Sequence, residues 1–433
     1  MERRSWKVCL LALALAACGG GGADPDAGTT NDDGGGGGQD ARVTPGDGST
    51  DEPDGSTGGG ALACTTGTLL AGHPEHDAEP GVHANQGDPL RGVEGRPLGW
   101  REVIFVGDRM VTVVGQEVWA SDLSEASPTV RRVAGVDSTN QQLLDGPCAS
   151  ARFANLQDLA ADAEGSLYVM DQTGNAVLKI TDPFDAASCE VHYWAGTSVD
   201  TTDIRPGTPP NVGETEGPGA SAQFALPGRM AIDTDGTLYV WDEGNASIRR
   251  IANDAAHTVS TLTAVESTYD GRSQDVIVDS MLVSNGVLYL YAHDTANQVI
   301  LEAVRLSDGS KSDILRGRAD VFPDFDSSTS LQVGGMATDG EELFVYFKGL
   351  IYAVTLEGAI RKVVGYEGAR STIEFESGYD PTVPHPVDEL HLANRSQYAT
   401  AGADSWLAID ANDDLYFVGS VLDPYVVRID CAR

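Results

Sequence analysis

The sequence predicts an all-β chain folded as a six-bladed β-propeller, its N-terminal strand closing the last blade, with a disordered tether ahead of it. Three observations carry that expectation. Residues 145–180 are repeated almost position for position at 216–251. Six short tokens punctuate the chain at blade-sized intervals. The strands of the repeated unit are apolar on both faces, which stacking against a neighbour on each side explains.

The chain begins with a targeting segment. Residues 1–17 combine Arg3, Arg4 and Lys7 with an apolar run that is too short to span a bilayer. Leu15-Ala16-Ala17-Cys18 resembles the lipobox of bacterial lipoproteins. That resemblance implies cleavage before Cys18, acylation of Cys18, and a protein exported to a bacterial membrane. Two or more acyl chains anchor stably, since each buried methylene contributes about 0.8 kcal/mol. Gly19 stands where inner-membrane lipoproteins carry Asp, which favours the outer membrane. The alternative is a plain secretory signal.

Residues 18–60 read as a Gly/Asp-rich tether. The stretch 19–60 holds nine acids, one base (Arg42) and no aromatic residue, so it buries too little to offset ordering. As a Gly-rich coil it spans on the order of 35 Å. Asp47, Asp51 and Asp54 lack the alternate-residue spacing of a calcium loop.

Residues 61–433 form the propeller. The tokens are Leu70-Ala71-Gly72, Val133-Ala134-Gly135, Trp194-Ala195-Gly196, Leu262-Thr263-Ala264, Leu315-Arg316-Gly317 and Val363-Val364-Gly365. Each marks the end of an outer strand. Counted from their first residues they lie 48 to 68 residues apart, enough for four strands and a connector. Second strands are expected at 110–114, 167–170, 238–241, 287–291, 343–347 and 415–418. Only three strands precede the end of the sixth blade, so the segment around 65–71 supplies its fourth and removes the open edge.

Within the repeated unit, Leu167, Val169, Leu238 and Val240 face one way and Tyr168, Met170, Tyr239 and Trp241 the other. Gly165 and Gly236 serve hairpins, and Asn175 and Asn245 each follow a glycine in the next turn. The unit resembles the NHL repeat, DGxxxxARFxxPxGhAhDxxGxLYVADxxNxxIRKI. Matches fall at Ala151-Arg152-Phe153, Asp162, Gly165, Leu167-Tyr168-Val169, Asp171, Asn175 and Lys179-Ile180, and again at Phe224, Pro227-Gly228, Asp233, Gly236, Leu238-Tyr239-Val240, Asp242, Asn245 and Arg250-Ile251. The first copy departs at Leu156-Gln157-Asp158, where the family has Pro-x-Gly. The resemblance covers about two blades and implies the propeller fold.

After export, Cys64, Cys148, Cys189 and Cys431 remain, an even number suited to disulfides. Three pairings are possible. The expected strand placement favours Cys64 with Cys431, leaving Cys148 with Cys189 inside one blade. Four free buried thiols are the alternative.

No catalytic residue and no metal ligand is assigned. The chain has no nucleophile elbow, zinc-protease helix, phosphate loop or dinucleotide fingerprint in its folded part. Asp162, Asp171, Asp233, Asp242 and Asp410 sit beside turns and are read as turn-capping residues. His73, His76 and His83 share a Pro/Gly-rich loop with Glu75, Asp77 and Glu79, and are read as solvated. His192, His257 and His293 are read as packing or edge residues.

Charge excludes some partners. Loss of residues 1–17 removes Glu2, Arg3, Arg4 and Lys7 and leaves 25 bases against 64 acids, a charge of −39. Nucleic acid and anionic headgroups are repelled, unlike in the RNA-binding NHL propellers, whose faces are basic. Membrane contact then comes only through the lipid.

The expected function is a monomeric, lipid-anchored binding module for a protein or glycan at the cell envelope. The alternative is a metal-assisted lyase or lactonase-type enzyme at the channel, implied by six-bladed relatives of gluconolactonase and amidating-lyase type. That alternative alone calls for an ion, calcium or zinc; no cofactor is otherwise expected. The connector 366–403, carrying Tyr366, Phe375, Tyr379 and Tyr398, is the expected binding surface and is expected to cover part of the channel mouth.

Overall fold

A computed structural model describes residues 61–71, 102–124, 130–136, 143–196, 212–265, 268–269, 272–273, 276–294, 298–318, 321–322, 333–347, 349–365, 385–386, 405–410, 412–419 and 425–433. Strands dominate the described residues, and helix is limited to short 3-10 turns such as Gly219–Ser221.

Six antiparallel sheets form the blades. Their innermost strands are Val103–Val106, Leu156–Ala161, Pro227–Ile232, Val276–Ser284, Val333–Thr338 and Ser405–Ile409. Each touches the next around the ring, and the sixth touches the first, so the array is closed. The second strands run Arg109–Val114, Leu167–Asp171, Leu238–Asp242, Val287–Asp294, Glu342–Phe347 and Leu415–Gly419, where the apolar patterning placed them. Five tokens end outer strands as expected; the strand Lys311–Arg318 runs one residue past Gly317.

Six apolar clusters lie one at each blade–blade interface. Val111 and Val113 of the first blade meet Leu167 and Val169 of the second. Tyr168 and Met170, on that strand's other face, meet Leu238 and Val240 of the third. Tyr239 and Trp241 then meet Leu288 and Leu290. The alternation continues through Tyr291 with Val345 and Tyr346 with Phe417, and closes with Val418 against Val103 and Met110. A strand apolar on both faces is therefore what a blade requires. Each such side chain contributes roughly 1.5–3 kcal/mol on burial.

Closure occurs as the cysteine placement suggested. The strand Ala63–Ala71 pairs antiparallel with Tyr425–Ala432, with Cys64 opposite Cys431. Both disulfides form: Cys64–Cys431 and Cys148–Cys189. Directly opposed residues were expected about 4.5 to 5.5 Å apart at Cα; the separation at Cys64–Cys431 is 3.9 Å. The ladder shifts register immediately beyond Cys64, so this pair does not sit in a regular ladder. Cys148 follows the short strand Gly146–Pro147, which pairs outside the second blade's outer strand Glu190–Ala195, so its bridge stays within that blade.

Of the connector 366–403, only His385–Pro386 is described, and it pairs with Thr66 and Gly67 on the outer edge of the sixth blade. Tyr366, Phe375, Tyr379 and Tyr398 lie outside the described residues, as do Cys18, the tether and His73, His76 and His83.

Candidate functional site: one end of the channel

The innermost strands surround a cavity of about 310 Å³ lined by residues from all six blades. Its walls are largely apolar, through Val103, Leu159, Met230, Met281, Met336 and Leu407. Among the described residues, three ionisable side chains, Glu102, Asp158 and Arg229, also line it. Glu102 immediately precedes an innermost strand, and Asp158 and Arg229 are each the third residue of one. All six innermost strands enter the ring in the same sense, so the three share one end of the channel.

Asp158 and Arg229 occupy one repeat position. They are 71 residues apart, the interval that also separates Glu216 from Asp145. The ladder places Asp158 opposite Met170 and Arg229 opposite Trp241, and the fourth blade's equivalent is Ser280, opposite Tyr291. All three tie their blade to the next. Asp158 Oδ2 accepts from the Met230 amide at 2.7 Å, Arg229 Nε donates to the Asp279 carbonyl at 2.7 Å, and Ser280 Oγ accepts from the Met336 amide at 3.2 Å. The fifth blade replaces the side chain with Gly334-Gly335, because a Cβ on Gly335 would collide with the Leu407 amide nitrogen. One position thus stitches three inner strands to their successors through a side chain, with glycine in the fifth blade where the strands approach too closely for one.

That role accounts for Asp158, whose other oxygen accepts from the Leu159 amide at 2.7 Å. Glu102 is not at that repeat position, and its bond to the sixth blade runs to a side chain, that of Trp406. Glu102 is half-buried and receives hydrogen bonds from the Trp406 side chain and the Val103 amide. Burial and the charge of Asp158 push its carboxyl well above the usual range, against the opposing pull of Arg229. Burial likewise pushes Asp158 up to about 6, with Arg229 and the two amides opposing.

Behind Arg229 lies a second pair. Asp279 Oδ2 meets His293 Nδ1 at 2.6 Å. Burial raises the Asp279 carboxyl, and the His293 hydrogen bond opposes it. Burial works against charge on His293, yet the hydrogen bond and charge of Asp279 hold its pKa above the ordinary value. His293, read from sequence as a packing or edge residue, is therefore half of a buried ion pair beside the channel. His257 does pack, stacking on Trp194 at 3.6 Å.

The repeated aspartates bond to turns and backbone. Asp162 accepts from the Ser166 amide at 2.8 Å and Asp410 from the Asn412 and Asp414 amides at 2.8 and 3.0 Å. Asp171 accepts from the amides of Ala154, Asn155 and Gly174. Asp233 accepts from the Thr234 amide and Asp242 from the Ala225 amide.

A pH dependence follows from Asp158. Its folded-state pKa of about 6 lies above the ordinary 3.8. The protonated form is therefore favoured by folding: this contribution is fully present below about pH 3.8 and is lost as pH rises through about 6. Asp158→Asn should remove it, narrowing the stability difference between pH 4 and pH 7 by up to about 3 kcal/mol. Urea midpoints of both proteins at the two pH values check this. An unchanged difference would show that Asp158 titrates normally.

No family model matches this chain, and no curated protein matches it in sequence. Solved structures are similar in architecture. A gluconolactonase from Xanthomonas campestris shares 12% identity, with 86% of this chain and 99% of that one covered, at a TM-score of 0.45. Virginiamycin B lyase from Staphylococcus aureus, in a catalytically inactive form with quinupristin, shares 9% identity over 78% and 97% at 0.43. A streptogramin B lyase shares 9% over 78% and 96% at 0.41. At such values these likenesses bear on no residue and no activity of this chain.

Proposed function

We propose that this chain is an exported, lipid-anchored β-propeller acting as a binding module at the cell envelope, and that it takes a group of a protein or glycan partner into the channel end framed by Glu102, Asp158 and Arg229. The observation that carries this is Glu102. Raised by burial and by the acid beside it, it is bonded by the Trp406 side chain of the sixth blade and is the partly exposed carboxyl of the cavity lining. The two disulfides agree with an oxidising compartment. No helix among the described residues is long and apolar enough to cross a membrane, and the proposed anchor is the lipid on Cys18.

The alternative activity, a lyase or lactonase, is favoured by one observation: two carboxyls of raised pKa beside a guanidinium are acid–base equipment. The metal-assisted form does not fit the donors present. Calcium takes six to eight oxygens, whereas here both Asp158 oxygens already hold amides and a cation, Arg229, lines the same cavity. Among the described residues, no three His, Cys, Asp or Glu side chains gather to hold an ion.

One set of variants tests both halves of the proposal in cells. Cys18→Ala should move the protein from the membrane to the soluble fraction. Glu102→Gln with Arg229→Gln should leave the anchor intact and abolish crosslinking to the partner that the wild type captures. Membrane association that survives Cys18→Ala refutes the lipid anchor, and crosslinking that survives the double substitution refutes the site.

A further inference from the structure

The acidic and basic groups at the channel end are unequal in number. Asp279 is matched by His293 at 2.6 Å, and that pair lies behind the cavity wall. Among the described residues, two carboxyl groups, Glu102 and Asp158, and one guanidinium, Arg229, face the cavity. The carboxyls outnumber the guanidinium by one, and the Glu102 carboxyl, raised by burial and by Asp158, meets that surplus with a proton or with a cation. The two carboxylates are also unequal in reach. Asp158 is 3% exposed with a backbone amide on each oxygen, whereas Glu102 is only half-buried. A group entering the channel meets Glu102.

The space beyond Glu102 narrows the chemistry further. Its walls are Val103, Leu159, Met230, Met281, Met336 and Leu407, with three methionine thioethers that adapt to a flexible chain. A sugar ring would leave that wall without a matching surface. A cation on an aliphatic stem matches both the wall and the surplus carboxyl. The whole chain, at a net charge of −37, draws cations toward it and repels anions.

We propose that the channel end is a receptor for an alkylammonium group, with its nitrogen on Glu102 and its carbon stem along Val103, Met230, Met281 and Met336. This rests on the reading of the channel end as a binding site. The same chemistry is offered by a lysine side chain of a protein partner and by a free aliphatic amine. An ammonium beside Glu102 competes with a proton there, so binding is coupled to proton release. The groups facing Glu102 are Asp158, Arg229 and Trp406, with Asp279 and His293 beyond Arg229. Of these, Asp158 also gains from an added cation, so acidification through about pH 6 weakens binding.

The test is calorimetry on the full chain with hexylamine, hexanol and hexanoate, at pH 7.5 and pH 5, in two buffers of different ionisation enthalpy. Hexylamine is protonated at both pH values, since an alkylammonium titrates near about 10. The expected result is hexylamine binding at least about 10-fold tighter than hexanol, from a charge-assisted hydrogen bond. Weaker binding at pH 5 than at pH 7.5 should accompany it, with proton release read from the difference between the two buffers. Glu102→Gln should erase the preference for amine over alcohol; should that variant fail to fold, the wild-type ranking and proton count decide alone. Preference for hexanol or hexanoate would overturn the ammonium assignment while leaving the channel end a binding site. Failure of all three to bind would overturn both. If hexylamine binds, a lysine-containing tetrapeptide separates the sources: its binding assigns a protein side chain, and its exclusion assigns a free amine.

Discussion

Cys431→Ser is expected to lower the melting temperature clearly and to open the sixth blade before the rest. The bridge joins residues 367 apart in sequence, so it ties nearly the whole propeller into a ring. In the chain-entropy account, a loop of that size restricts the unfolded state by roughly 5 to 6 kcal/mol, an upper value because residual structure in the unfolded chain reduces it. That is comparable to the net stability of many domains. The strand pair Ala63–Ala71 with Tyr425–Ala432 retains other ties, including Thr66 Oγ1 to Asp430 Oδ2 at 2.8 Å. The closing strand therefore stays docked at low temperature and detaches first on heating. Cys148→Ser removes a loop of only 41 residues, worth at most about 4 kcal/mol, and acts within the second blade. Hydrogen exchange followed strand by strand separates the two. Protection lost evenly around the ring in Cys431→Ser would show that closure rests on the blade-to-blade clusters and not on the bridge.

The difference between those two bridges was legible in the sequence, because it depends on which segments pair, and strand order follows from repetition. Tokens such as Val133-Ala134-Gly135 recur at the ends of outer strands, and the two-faced apolar strands at 167–170 and 238–241 exclude a solvent-washed sheet. The candidate site was much less legible. Asp158 showed only as a departure from the Pro-x-Gly of the NHL pattern. That it shares a repeat position with Arg229, an opposite charge, was the available signal that this position does not pack into an apolar blade interface; both side chains bond the next blade's backbone at the channel wall. Glu102 gave no signal, since the first blade carries no copy of the motif. His293 was hidden for a different reason. Its partner Asp279 lies in a register shift between Val278 and Ser280, and a periodic reading does not show where such a residue points.

Alignment by motif also misplaced one turn. Asn175 has a φ of 49°, and the residue in the same left-handed conformation in the second copy is Ala246, with a φ of 46°. Asn245, paired with Asn175 by the motif, precedes it and donates instead to Asp242 Oδ2 at 2.7 Å. Asn is tolerated in that region of backbone, whereas Ala is strained there. The second copy therefore holds its turn by other means, and those means involve Asp242 and Arg249.

Arg249→Ala is expected to destabilise the third blade by about 3–5 kcal/mol, the usual consequence of removing one partner of a buried ion pair. Arg249 and Asp242 are fully buried, with Nη1 at 2.9 Å from Oδ2. The guanidinium also donates to the carbonyls of Gln223, Glu214 and Thr215 at 3.2, 3.3 and 3.4 Å, and lies 5.5 Å over the Phe224 ring. It thus pins the segment ahead of the blade to the strand Ser247–Ile251. The first copy has Leu178 at the matching position and manages without the cation, because Asp171 is held by three backbone amides. Asp242 has the Ala225 amide and the Asn245 side chain, so Arg249→Leu does not reproduce the first copy. Burial already raises the Asp242 carboxyl even with Arg249 beside it. Without Arg249 the rise is larger, so the protonated form is favoured by folding and the variant regains stability as pH falls. The deficit should therefore be greater at pH 8 than at pH 5, and Asp242→Asn added to Arg249→Leu should recover part of it. Urea unfolding of the single and double variants at both pH values measures this coupling. A deficit under about 0.5 kcal/mol, or one that does not change with pH, would show that the carbonyl contacts and ring packing, rather than the ion pair, hold this corner of the propeller.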